Sequence, residues 1–179
     1  QGSRGIYYAS TIHFFDLACW ITEERPIEVF TYGTAFLPSV AAVNEADTVM
    51  VLMKLASGAI VSINNSYGTY YGYDERIEVV GAKAMAQSGF KQSHEFRILN
   101  EDGRHSSPLV EGWYQHMEQT YMDELDAFVD MLEGKPQTNA TLIDGLRAQI
   151  IAEATRVSQK ERRPVSLDWS ELDELEHNT

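Results

Sequence analysis

Residues Thr48–Leu55 read TVMVLMKL, and no other stretch of the chain restricts its fold so tightly. Side chains alternate between the faces of an extended strand, so Val49, Val51, Met53 and Leu55 share one face while Met50 and Leu52 lie on the other. Both faces are apolar. A sheet with one face in water shows cleaner alternation, so one face is expected to carry helices and the other to meet a second subunit. The stretches IEVFTYGTAF, AIVSINNSY and DERIEVVGAKAMAQSG are also rich in β-branched and aromatic residues and are punctuated by glycine-containing turns. Strands joined by such short turns pair antiparallel. HEFRILNEDGRHSSP reads as one further strand and a loop.

Helical periodicity flanks this block. Apolar residues between Ser10 and Thr22 recur at helical spacing, with Ser10 in the N-cap position and Glu23-Glu24-Arg25-Pro26 as the stop. Met117, Tyr121, Leu125, Phe128 and Leu132 form one stripe, which Gly134 and Pro136 terminate. Thr141 and Asp144 have capping-box spacing and open a second long helix through LRAQIIAEATRVSQ, and Ser170 with Asp173 offers a weaker cap for a last turn. The order predicts an α+β class: an open, predominantly antiparallel β-sheet with helices packed on one face, its other face an oligomer interface. No Pro/Gly/Ser-rich linker divides the 179 residues, so a single domain spanning 1–179 is expected.

Charge narrows the partners. Fourteen Lys and Arg stand against 27 Asp and Glu, a net −13, and that field repels nucleic-acid backbones and anionic membrane surfaces. The segment DWSELDELEHNT is expected to be a solvated acidic tail. Cys19 is the lone cysteine, which excludes an internal disulfide and fits a reducing, cytoplasmic compartment. Asn64-Asn65-Ser66 and Asn139-Ala140-Thr141 match the glycosylation triplet, a match common by chance. There is no apolar run near 18 residues, and the opening QGSRG resembles neither a signal peptide nor a domain start.

Few residues can carry chemistry. His13 and Asp16 are three apart and project from one side of their helix, with Ala9 one turn earlier. A polar line on an apolar helix is either a site or a pair of satisfied structural groups. Tyr67, Tyr70, Tyr71 and Tyr73 in YGTYYGYDER could hydrogen-bond a hydroxylated ligand, although tyrosines are equally ordinary in strands. The five histidines show neither HExxH nor clustered His/Cys spacing, so no metal is expected. GxSxG, P-loop and GxGxxG motifs are absent, and Cys19 reads as a small core residue.

Three segments together carry a resemblance. GIYYASTIHFFDLACWI resembles the histidine helix of the Gfo/Idh/MocA oxidoreductases, inositol 2-dehydrogenase-like members above all. In register with it, ADTVMVLMKLASGAIVSINNSYGTYYGYDERIEVVGAKA resembles the strands around that family's YGYD stretch, and YMDELDAFVDMLEGKPQTNATLIDGLRAQIIAEA its closing helix pair. The resemblance implies a C-terminal substrate-binding and oligomerisation domain of an NAD(P)-dependent dehydrogenase acting on inositol or a sugar-like polyol. The N-terminal Rossmann domain that would bind NAD or NADP is absent from these residues, so the chain alone is expected to bind no dinucleotide and to be inactive. It implies a homo-oligomer formed through the open sheet face. His13 aligns with the family's proton-transfer histidine, Tyr71 and Tyr73 with the YGYD tyrosines near the sugar pocket, and Ser10 with a neighbouring pocket position, while Asp16 is a further candidate for substrate binding. Two positions depart from the pattern. The aspartate expected four residues before the histidine is Ala9, and Ala84 replaces a glycine in the turn after the fourth strand stretch. The rival reading is a standalone assembly or ligand-binding module derived from such an enzyme, and a third is a redox-neutral or hydrolytic parent protein. Substrate, NAD or NADP preference and subunit number are not encoded in these motifs.

Overall fold

A π-turn over Tyr7–Thr11 runs directly into helix α1 (Ile12–Thr22) in a computed structural model that describes residues 5–89, 91–95 and 97–177. There follow β1 (Pro26–Thr34), the short α2 (Pro38–Ala41), β2 (Thr48–Leu55), β3 (Ile60–Ser66), β4 (Ile77–Val80) and β5 (Met85–Ser88). The chain continues with β6 (Arg97–Asn100), β7 (Gly103–Ser106), α3 (Trp113–Leu132), α4 (Leu142–Glu161), β8 (Val165–Ser166) and α5 (Ser170–His177). Its internal contacts divide it into two compact units, Gln1–Gly68 with Ala140–Thr179, and Thr69–Asn139.

The first unit is built on a four-stranded antiparallel sheet in the order β3-β2-β1-β8. Alternation decides its covered face. Val29 of β1, Val49, Val51 and Met53 of β2 and Ile63 of β3 are buried against Phe15 and Cys19 of α1 and Ala148, Ile151 and Ala152 of α4. Each large side chain sealed there contributes about 1.5–3 kcal/mol relative to exposure. On the opposite face Tyr32, Met50, Leu52 and Ile60 are exposed, at 68%, 52%, 43% and 73%. The α+β class, with helices on one face of an antiparallel sheet and a second apolar face, is therefore the fold observed.

Three local expectations are corrected. Ser10 does not cap the first helix: the turn begins after Gly5 (φ +76), because Ile6 and Tyr7 are drawn into the core and pull the helical path back by a turn. The strand and loop expected over 94–108 form the β6-β7 hairpin, with Gly103 at φ +126 and the Asp102 amide donating to Asn100 Oδ1 at 3.1 Å; Phe96 lies outside the described residues. The acidic segment is no solvated tail as far as His177. Leu172 is 1% exposed, Trp169 Nε1 donates to the Pro26 carbonyl at 2.9 Å, and Arg25 pairs with Asp173 and Glu176 at 2.6 Å each. Its charges are placed on the outer side of a docked helix.

The second unit holds the β4-β5 and β6-β7 hairpins and α3. The stop at Gly134 is observed, with φ +82 and its amide donating to the Met131 carbonyl at 3.0 Å. Among the described residues no helix is long and apolar enough to cross a membrane.

Helix α4 starts at the expected box, where Thr141 Oγ1 accepts from the Asp144 amide at 3.3 Å and Asp144 Oδ2 accepts from the Thr141 amide at 2.7 Å. Its far end mends the sheet edge. Strand β8 is two residues long and pairs only with Glu28 and Val29, so the buried Thr31 amide lies beyond its reach. Ser158 Oγ accepts from that amide at 3.2 Å and donates to the Arg163 carbonyl at 2.7 Å. Ser158→Ala leaves both groups without these partners and lowers the unfolding free energy by about 1–3 kcal/mol, read from urea denaturation. An unchanged midpoint would refute the role.

Candidate functional site

The π-turn is the local oddity that places the first candidate residues. π-turns are rare and tend to mark functional positions. Here the Thr11 hydroxyl donates to the Ile6 carbonyl at 3.2 Å, five residues back, and two neighbouring tyrosines anchor the turn to α4. Tyr7 OH donates to Gln159 Oε1 at 2.7 Å and Tyr8 OH to Glu153 Oε2 at 2.5 Å. A glycine stands opposite: a Cβ at Gly33 would lie 2.6 Å from Gln159 Nε2 and 3.0 Å from the Tyr7 hydroxyl, so a larger residue there would push the Gln159 side chain aside.

Ser10 lies in this turn and His13 one turn later. His13 is exposed, and among the described residues no hydrogen bond restrains its imidazole. Ala9, also exposed, presents only a methyl where the resemblance leads one to expect a carboxylate. Asp16 is half-buried and turned toward α4. Burial, then the negative field of Asp144, hold its carboxyl above the ordinary value, and the positive field of Arg147 and that of His13 oppose this. Arg147 itself pairs with Asp144 at 3.0 Å and with Glu176 at 3.8 Å. No hydrogen bond joins Asp16 to His13 among the described residues; charge alone couples them.

One member of the cluster was not foreseen. Asn65 of β3 donates through Nδ2 to Ser10 Oγ at 2.9 Å and to Thr11 Oγ1 at 3.1 Å. The amide therefore ties the sheet edge to the π-turn and occupies the Ser10 oxygen as an acceptor. No acceptor among the described residues takes the Ser10 proton, which leaves that hydroxyl disposed to donate outward. Only strand alternation, which puts Asn65 on the face of Ile63, could have hinted at it.

The tyrosines divide between the units. Tyr67 follows β3 in the first unit and is partly exposed, whereas Tyr70 at 95% exposure, Tyr71 and Tyr73 belong to the second. Gly72 sets the path of their loop. Its φ is +119, and a Cβ there would meet Leu109 Cβ at 2.8 Å and the Val110 carbonyl oxygen at 3.1 Å, the oxygen that accepts from the Tyr73 amide at 2.8 Å. The structure thus gathers Ser10, His13 and Asp16 along one helix and Tyr71 and Tyr73 on one loop. Cys19 is in the core, where burial pushes its thiol up to about 11. Among the described residues no group of three or more His, Cys, Asp or Glu side chains is disposed to hold a metal ion.

Known proteins share this fold. Residues 1–167 match the oxidoreductase family described as the C-terminal alpha/beta domain of the Gfo/Idh/MocA proteins. The myo-inositol 2-dehydrogenase of Thermotoga maritima is 30% identical over 167 residues, 93% of this chain and 50% of the relative. The inositol 2-dehydrogenase of Rhizobium meliloti is 30% identical over 166 residues, 92% of this chain and 50% of the relative. The crystal structure of a myo-inositol dehydrogenase from Corynebacterium glutamicum superposes with a TM-score of 0.87 at 28% identity, covering 93% of this chain and 50% of that one. The chain spans about half the length of the curated relatives it matches.

The Asn65 bonds generate a prediction. A double-mutant cycle of Asn65→Leu and Ser10→Ala, followed by urea unfolding, gives a coupling of about 1 kcal/mol. Additive effects would show that the contact carries no energy.

Proposed function

The chain belongs to the Gfo/Idh/MocA oxidoreductase family as its C-terminal alpha/beta domain, and from that membership we propose that it binds the substrate and assembles the oligomer of an NAD(P)-dependent dehydrogenase acting on inositol or a sugar-like polyol. The observation that carries the reading is the exposed His13 imidazole, one turn beyond a Ser10 hydroxyl whose oxygen Asn65 already occupies. Such a pair suits a ligand hydroxyl. Ser10 donates to one ligand oxygen, and His13 takes or returns the proton of the reacting one. In the second unit Tyr71 and Tyr73 offer phenolic oxygens and ring faces of the kind that line polyol sites.

The dinucleotide is assigned to the family's nucleotide domain rather than to these residues. All strand pairs among the described residues are antiparallel, whereas a dinucleotide crevice of the usual kind needs parallel βαβ units with a glycine-rich turn at a helix N-terminus. The nicotinamide half of the reaction is therefore assigned to the part of the protein that carries the family's nucleotide domain. This chain's residues hold and orient the polyol and move a proton.

Two predictions test the reading. In the native protein His13→Gln lowers kcat for inositol oxidation by about 10²–10⁴ while folding is unchanged by circular dichroism. A fully active variant would remove His13 from the chemistry, and NAD-dependent oxidation by the isolated 179 residues would overturn the division of labour. The open face of the sheet, with Tyr32, Met50, Leu52 and Ile60, is assigned to a second copy of the chain, since an apolar patch of this kind favours burial. Leu52→Lys places a charge at its centre and shifts the mass from light scattering to that of a monomer. A monomeric parent, or a variant that keeps its mass, would remove the oligomer role from this face.

A further inference from the structure

In the loop of the second unit two successive tyrosines give their protons to two successive carboxylates. Tyr71 OH donates to Asp74 Oδ2 and Tyr73 OH to Glu75 Oε2, each at 3.1 Å. A phenol has one proton and two lone pairs, so once the proton is committed the oxygen meets a ligand only as an acceptor. Both carboxylates are held in place. The Asp74 side chain is 5% exposed, and Arg76 Nε lies 2.9 Å from its Oδ1, close enough for an ion pair although off the line of a hydrogen bond. The Glu75 side chain is 14% exposed, and His116 of α3 brackets it: His116 Nε2 is 4.0 Å from Glu75 Oε2, and its ring packs on Tyr73 with centroids 5.3 Å apart.

We propose that Asp74 and Glu75 are positioning residues that decide ligand specificity, turning Tyr71 and Tyr73 into paired acceptors that select a neutral, hydroxyl-donating ring over a sugar acid or sugar phosphate. The inference rests on the reading that a polyol meets these tyrosines. A carboxylate or phosphate offers oxygens that need donors, and both donors are already spent on protein carboxylates. Behind Tyr73 the Glu75 charge repels such an anion as well, while that of Asp74 is paired with Arg76. A hydroxylated ring carries a proton for each acceptor. The Tyr73 phenol is pushed up to about 12 by burial and then by the Glu75 charge and hydrogen bond, consistent with a proton held between the two side chains.

The test reads the phenols directly. In the native protein labelled with ¹³Cζ-tyrosine, Glu75→Gln lowers the Tyr73 titration midpoint by about one pH unit, and Asp74→Asn lowers that of Tyr71. Native protein binds myo-inositol at least about a hundredfold more tightly than inositol monophosphate or glucuronate, and the double variant Asp74→Asn/Glu75→Gln narrows that gap about tenfold. A Tyr73 midpoint unmoved by Glu75→Gln, with myo-inositol still bound, overturns the positioning role alone. Tyr71 and Tyr73 resonances unmoved by myo-inositol, with the midpoint still falling in Glu75→Gln, overturn the polyol reading of this loop and its specificity role together. Glu75→Ala separates folding from chemistry: a native-like spectrum with a lowered midpoint supports the proposal, and a native-like spectrum with the midpoint unchanged counts against it.

Discussion

The seam between α4 and the sheet is the contact on which the other features of the first unit depend. Ala148, Ile151 and Ala152 present a narrow face, and the two alanines let α1 and β1 approach closely enough for Phe15, Val29 and Ile151 to be sealed at 0% exposure. From that seam α4 reaches three further elements. Gln159 and Glu153 hold Tyr7 and Tyr8 of the π-turn, Ser158 completes the edge of β1, and Arg147 faces Glu176 of α5. A shift of α4 by a fraction of a turn would break all three together. The site on α1 thus inherits its rigidity from a helix that contributes no candidate residue.

Where strand period or capping chemistry governs, the sequence was readable. TVMVLMKL announced a strand with two apolar faces, and Thr141 with Asp144 announced the start of α4, because each is decided by residues within a few positions of one another. The misses depend on distant partners. Nothing between Gly5 and Thr11 forces a π-turn; it follows from Ile6 and Tyr7 finding the core and from Gln159 and Glu153 waiting on α4, more than 140 residues later. Asn65 shows the same limit. Alternation places it on the covered face, but its partners are set by where the π-turn meets β3. In α5 a count of acidic residues hid an amphipathic helix whose Leu172 is sealed while Asp173 and Glu176 pair with Arg25.

The net charge of −13 also takes on meaning in the structure. Part of it serves packing, as in the Arg25 cluster, where two carboxylates flank one guanidinium that also lies 5.6 Å from the Trp169 ring. Another part sits behind hydroxyl groups: Glu153 behind Tyr8, Asp74 behind Tyr71, Glu75 behind Tyr73. In the loop of the second unit the two carboxylates take the phenolic protons and leave the Tyr71 and Tyr73 oxygens as acceptors. That pattern suits an uncharged ligand rich in hydroxyl protons and is poorly suited to an anion.

His13 has to be judged against this charge distribution. A proton-transfer imidazole works best when a carboxylate fixes its orientation and stabilises its charged form, and an alanine four residues before it does neither. Asp16 is the nearest substitute in sequence, yet its carboxyl is raised by burial and by Asp144, and the neighbouring Arg147 is already paired with two other acids. Orientation of His13 then falls to the helix itself, through the π-turn that Asn65 ties to β3. Geometry survives the loss of the aspartate better than charge stabilisation does, so proton transfer through a histidine in this setting rests on its placement by the helix rather than on a paired carboxylate.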